Sequence, residues 1–178
     1  MAPVAEQAAD ALSRLTYGAF LSVAVETCET AAMPYDDVYA MATPGRVFDM
    51  FTNQAHALRD GPRRPGGSLM LFCGAHAAAA LMRESDEVIA ERFLVDLHDL
   101  FPQTRGAIAG AAVHRWELGN VFARPGRGRQ QAALERRHDN LHLAGDYFAE
   151  LGNLEAAAQT GLAAAERVDA RIREVTHA

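Results

Sequence analysis

The residues with the most chemical content lie near the C-terminus. Leu141-His142-Leu143-Ala144-Gly145-Asp146 is followed, after a loop, by Gly152-Asn153-Leu154-Glu155-Ala156-Ala157 and then Thr160-Gly161. The apolar run predicts a buried strand that ends abruptly at Gly145 and delivers the Asp146 carboxylate at its carboxyl end. Small residues at Gly152, Ala156, Ala157 and Gly161 let the next helix approach a sheet or a flat ligand closely. The start of that helix presents free amides and a positive partial charge, which suit an electron-rich ring carbonyl or a pyrophosphate. The same spacing belongs equally to the last βα unit of an α/β sheet, in which the small residues serve packing alone.

Other groups carry less. His138 and His142 are four apart, a chelating distance on a helix. At the entry to a strand that spacing spans about 13 Å, too far for one metal. Asp36-Asp37 beside Tyr35 and Tyr39 offers two carboxylates, but neighbours on a strand face opposite ways, and a solvated turn is the simpler reading. Arg63-Arg64 in its Pro/Gly loop reads as a solvated tip. Cys28 and Cys73 have no CxxC partner or Cys/His ligand spacing and read as buried, inert thiols. Trp116 either walls a cavity or sits in the core.

Composition narrows the classes further. Among 178 residues there are 17 basic and 23 acidic side chains, for a formal charge of −6, and 49% of residues are hydrophobic. That suits one soluble globular domain, or part of a larger one. All 17 basic residues are arginines. The chain therefore has no lysine to form a Schiff base, anchor pyridoxal phosphate or serve a phosphate loop. A net negative chain with scattered arginines is not expected to bind nucleic acid. The longest apolar stretch, Ser68 to Met82, is interrupted by His76, so no membrane span and no targeting segment are expected, and two cysteines suit a reducing cytoplasm.

The elements that must position these groups are readable from periodicity. A short opening helix follows Pro3, with Val4, Ala8, Ala11, Leu12 and Leu15 at helical spacing. Tyr17 to Thr27 predicts a strand buried on both faces. Val38 to Thr43, Val47 to Thr52 and Ser68 to Cys73 predict further strands of an antiparallel sheet, separated by Pro44-Gly45 and the Gly61 to Gly67 loop. Ser85 caps a helix running to Leu100, with Ile89, Phe93, Leu97 and Leu100 on one stripe. Ala109 to Leu118 is again strand-like, Gly119 to Arg129 is a loop, and Gln130 to Arg137 is a short helix. A terminal helix spans Asn153 to Glu174, with Leu154, Ala158, Gly161, Ala165, Val168 and Ile172 as its inner stripe.

The C-terminal segment resembles the flavin-binding motif of the FAD-dependent amine oxidase, phytoene desaturase and protoporphyrinogen oxidase superfamily. There, a hydrophobic strand ends in Ala-Gly-Asp or Ala-Gly-Glu before a helix that opens with an apolar residue, Glu, Gly and Ala. Leu143-Ala144-Gly145-Asp146-Tyr147 is most similar to the carotenoid desaturase branch. More weakly, the likeness covers almost the whole chain: Ala2-Pro3 resembles the exit from the FAD domain, and Tyr17 to Thr27 the first long strand of the substrate domain. The resemblance implies that Asp146 bonds the ribityl and phosphate region of FAD and that amides near Asn153 and Leu154 hold the pyrimidine end. The cofactor contacts it implies are Gly145, Asp146, Gly152, Asn153, Leu154 and Ala157, with Ser22 and Trp116 walling flavin or substrate.

The departures also matter. No GxGxxG fingerprint occurs, and Gly126-Arg127-Gly128-Arg129 is a basic loop with no strand before it. Ser22 stands where the amine-oxidising branch carries lysine, Asn153 where an aromatic flanks the amine, and Ala156 where glycine is usual.

The expected fold is α+β. Residues 1–118 form an antiparallel or mixed substrate-domain sheet flanked by helices. Residues 119–178 form the C-terminal strand-helix unit of an incomplete, Rossmann-like FAD-binding domain that is not independent. The expected function is the C-terminal half of an FAD-dependent oxidoreductase acting on a small apolar substrate. A companion chain with the dinucleotide-binding half would complete it. The alternative is a non-catalytic remnant that works as a binding or dimerisation module, a homo-oligomer.

Overall fold

A computed structural model describes residues 3–58, 60–136, 141–149 and 152–176. The chain divides into two compact units, residues 18–119 and residues 1–17 with 120–178. The division falls one residue beyond the sequence boundary at 118/119, and the opening helix folds with the C-terminal segment.

The middle unit is built on a five-stranded sheet of order β2-β3-β4-β1-β5. Its strands are β1 Tyr17–Thr27, β2 Ala40–Ala42, β3 Met50–Asn53, β4 Gly67–Gly74 and β5 Ile108–Val121. The pairs β1–β4, β2–β3 and β3–β4 are all antiparallel. On β1 and β4 the two-residue period separates the faces cleanly. Leu21, Val23 and Val25 are fully buried opposite the equally buried Cys73, Leu71 and Leu69, while Phe20, Ser22, Ala24, Met70 and Phe72 are half-buried on the other face. β1 is therefore not buried on both faces, as its near-continuous apolar content predicted. The apolar side chains of the second face form a sheet surface without a full cover.

The buried face is closed by α4, Asp86–Leu100, whose start is capped by Ser85 through the Val88 amide. Early carboxylates Asp86 and Glu87 match the positive end of the helix dipole. Ile89, Phe93 and Leu97, one turn apart, are fully buried, and the Phe93 ring lies 5.8 Å from that of Phe48. Two short helices have no counterpart in the sequence reading: α2, Gln54–Leu58, and α3, Ala75–Leu81. Both begin directly where a strand ends, and both are short, so neither shows a helical period of its own.

The second unit contains α1 Pro3–Ser13, α5 Gly128–Glu135 and α6 Leu154–Thr176. Two expectations fail here. Residues 141–144 form no strand, and a single 3-10 turn, Asp146–Phe148, follows them. A strand exists only when its amides and carbonyls are paired, and no described residue of the sheet pairs with this segment. The Rossmann-like strand-helix unit is thus reduced to a loop and a helix. On α6 the stripe expected to face inward is outward: Leu154 is 90% exposed and Ile172 59%, whereas Ala164 is buried and Ala157 and Thr160 are half-buried. Hydrophobicity alone ranked the branched residues as the inner face. Close approach to the 145–148 turn selects the small ones.

Candidate functional site

The turn at Gly145–Asp146 is held from three directions. From α6, the Thr160 hydroxyl accepts the Gly145 amide at 3.0 Å, and its single proton is shared among the carbonyls of Ala156, Ala157 and Gly145 at 2.8–3.1 Å. From the start of β1, the Tyr17 hydroxyl donates to Asp146 Oδ1 at 3.3 Å. Burial, and then the neighbouring Asp146 charge, raises the pKa of Tyr17 above the usual tyrosine value. From just before α5, Arg127 donates to the Tyr147 carbonyl, and from within it Gln131 donates to the Phe148 carbonyl at 3.1 Å. Arg127, in the basic loop, anchors the backbone next to Asp146.

Two glycines are required by this geometry. Gly145 has φ +153°, and a Cβ there would stand 2.3 Å from the Tyr147 ring. A Cβ on Gly152 would stand 2.6 Å from Asp146 Oδ2, 2.7 Å from Val121 Cγ1 and 3.0 Å from Asn120 Oδ1. Gly152 therefore backs directly onto the carboxylate, so the loop that leaves Asp146 returns to it before α6 begins.

Asn153 caps α6: its Oδ1 accepts the Ala156 amide at 2.8 Å and its carbonyl accepts the Ala157 amide. Removing this cap should cost about 1 kcal/mol. Asn153→Ala should accordingly lower the thermal midpoint by several degrees without altering helix content at 20 °C, measured by circular dichroism. Among the described residues, the Leu154 and Glu155 amides meet no acceptor, so two of the first-turn donors face outward from an exposed helix end.

The structure thus brings Gly145, Asp146, Gly152 and Asn153 together at the head of α6, with Leu154 exposed and Ala157 half-buried beside Thr160. Ser22 and Trp116 lie in the other unit. Ser22 is on the half-buried sheet face opposite Phe72, and Trp116 is 51% exposed, its ring 4.3 Å from His114, so it is no core residue. Tyr17, Arg127, Gln131 and Thr160 escaped the sequence reading because their partners are distant along the chain. Only Thr160, in Thr160-Gly161, stood inside the motif.

Other sequence candidates are displaced from their expected roles. Arg63 is not a solvated tip: its guanidinium bonds Glu29 at 2.9 Å and Asp36 at 2.6 Å, and its side chain is only 19% exposed. Asp36 and Asp37 do lie in a turn, with Asp37 exposed, but the Asp36 carboxylate is turned onto Arg63. Cys28 is exposed rather than buried. Cys73 is buried, which pushes its thiol up to about 11. His138 lies outside the described residues. Among the described residues, no group of three or more His, Cys, Asp or Glu is placed to hold a metal ion.

The family model for flavin containing amine oxidoreductases matches residues 1–169, and the chain belongs to that family. No curated protein matches. Among solved structures, the chain is similar to "Putative protoporphyrinogen oxidase" from Exiguobacterium sp. 255-15. The TM-score is 0.58 at 17% identity, over 87% of this chain and 36% of that one. It is also similar to reduced UDP-galactopyranose mutase, with TM-score 0.53 at 11% identity over 70% of this chain and 26% of that one. At these identities the likeness is one of fold, and the chain spans about a third of their length. Among the described residues, no helix is long and apolar enough to cross a membrane.

The residues present fit the ribityl and pyrimidine end of a flavin. A half-buried carboxylate with one neutral donor on Oδ1 retains capacity to accept from a hydroxyl. The two outward amides suit a ring carbonyl on which negative charge grows.

Proposed function

We propose that this chain is the C-terminal, flavin-contacting part of an FAD-dependent oxidoreductase acting on a small apolar organic substrate. A separate chain carrying the GxGxxG half completes the enzyme. The observation that carries the reading is the Asp146 carboxylate, bonded by Tyr17 and backed by Gly152, just before the start of α6.

In this reading Gly145, Asp146, Gly152, Asn153, Leu154 and Ala157 line the cofactor's place. Asp146 accepts from ribityl hydroxyls, and the α6 amides orient the pyrimidine edge. These residues would hold FAD, which would supply hydride-acceptor chemistry. This chain contributes orientation and fixed positive potential, and no side chain of its own is assigned as an acid or base. An apolar substrate is supported by the half-buried sheet face, where the Phe20 and Phe72 rings lie 5.4 Å apart between Met50, Met70 and Ser22. Flexible methionines adapt to irregular apolar ligands. Amine substrates are disfavoured because Ser22 and Asn153 replace the lysine and the aromatic of the amine-oxidising branch. No GxGxxG fingerprint occurs in these 178 residues, so residues outside them would hold the adenosine pyrophosphate.

The test is FAD titration followed by flavin fluorescence. The chain alone should bind FAD weakly, and a stoichiometrically yellow isolated chain would overturn the need for a companion. In the completed enzyme, Asp146→Ala should weaken FAD binding about 10- to 100-fold, the worth of a charge-assisted hydrogen bond. Asp146→Asn should retain part of it. Unchanged affinity in both variants would remove Asp146 from the cofactor site. A second reading, a non-catalytic binding or dimerisation module, is favoured by one observation, the exposed apolar stripe of α6.

A further inference from the structure

We infer that Arg127 recognises phosphate, and that it takes the phosphate ester at the end of a flavin's ribityl chain, so that the site tells FMN and FAD from riboflavin. The inference rests on the flavin reading of Asp146 and adds a residue and a ligand group to it.

Arg127 differs from the other half-buried arginines. Arg46 bonds Asp99, Arg63 bonds Glu29 and Asp36, and Arg115 bonds Asp86. Arg127 is half-buried too, yet it makes no ion pair among the described residues. Its bonds go to two neutral oxygens, the Tyr147 carbonyl and Gln131 Oε1, the second at 3.2 Å. A guanidinium carries five N–H donors. Three of them therefore meet no acceptor among the described residues, and the charge has no counter-ion. The loop itself supplies none, since residues 124–130 hold three arginines and no acid. A cation partly withdrawn from water without a partner is unfavourable, and a bound anion offsets that cost.

The position of the guanidinium selects the anion. Its bond to the Tyr147 carbonyl sets it beside the residue that follows Asp146. Burial and the Asp146 charge raise the pKa of Tyr17, and the Arg127 charge lowers it, so cation and carboxylate both lie near one hydroxyl without pairing with each other. A ligand that carries hydroxyls and, a few atoms further on, an anionic phosphate offers the matching order of groups. The hydroxyls donate to Asp146, and the phosphate accepts from the planar fork of Arg127.

The chain is titrated with FMN and with riboflavin at low ionic strength, and binding is read by flavin fluorescence. The Arg127 Nε–H resonance, identified by its loss in Arg127→Gln, is followed by NMR. FMN should bind about 10-fold more tightly than riboflavin, the lower end for a charge-assisted bond. It should also move the Arg127 resonance, which riboflavin and acetate at equal ionic strength should leave in place. Arg127→Gln should bring the ratio of the two affinities to about one, and Arg127→Lys should keep part of it. A general loosening of the turn lowers both affinities and leaves their ratio as it was, so the ratio isolates the phosphate contact. A wild-type ratio near one overturns the inference, as does a ratio that Arg127→Gln leaves intact. So does an Arg127 resonance that millimolar FMN leaves in place, or that acetate moves as far, which would mark an adventitious ion only. The flavin reading fails separately, if Asp146→Ala leaves riboflavin affinity unchanged.

Discussion

Arg63→Ala should lower the unfolding free energy by about 3–5 kcal/mol, the usual cost of removing one partner from a buried ion pair. Glu29 has a side chain only 6% exposed, and Asp36 15%. Arg63 bonds both, and the Tyr35 hydroxyl reaches Glu29 at 3.4 Å. Without the guanidinium, Glu29 loses its only cationic partner among the described residues while its side chain stays 6% exposed. A Cβ on Gly67 would already stand 3.2 Å from Glu29 Oε1. Urea unfolding with a constant m-value measures the loss. Arg63→Met combined with Glu29→Leu should recover part of it, because an apolar pair of similar volume leaves fewer buried charges unpaired. If Arg63→Ala costs under 1 kcal/mol, the cluster behaves as a surface ion pair and this account of the Gly61–Gly67 loop is wrong.

Phe93→Ala should be equally costly, about 3–5 kcal/mol, because a fully buried phenylalanine leaves both lost transfer energy and a cavity. Phe93 joins α4 to the sheet through Phe48, which is itself fully buried. The adjacent outward residue Val95 is 60% exposed, and Val95→Ala should change stability by less than about 0.5 kcal/mol. The contrast between the two variants, measured in the same denaturant series, tests whether the α4 face is assigned correctly. Similar costs at both positions would mean that the helix is rotated.

α4 was readable to its ends because Ser85, the early carboxylates, a 3.6-residue stripe and Pro102 all point the same way. The strands around Leu21–Val25 and Leu69–Cys73 were readable as near-continuous apolar runs with β-favouring residues such as Phe20, Val23, Val25 and Phe72. Arg63 was misread because a Pro/Gly loop looks the same in sequence whether its tip is solvated or folded back onto Glu29, 34 residues away. Cys28 was misread for a related reason, since it follows a buried strand end by one residue.

At the candidate site, the identities of Gly145, Asp146, Gly152 and Asn153 were visible as a motif, along with the helix that follows. Their supports were not. Tyr17 is separated from Asp146 by 129 residues and Arg127 from Tyr147 by 20, and no local propensity connects them. The amino-acid order by itself determined which elements form where local rules agree, the antiparallel character of the sheet, the absence of lysine chemistry, and the small-residue seat at the head of the last helix. Tertiary structure alone decided that residues 141–144 pair with no described strand, that α6 turns its small residues inward and its branched ones to solvent, and that Arg63 is an internal ion-pair partner. The reason is physical: periodicity records that a stripe or a run is apolar, but what covers it depends on which distant surface arrives first and fits more closely.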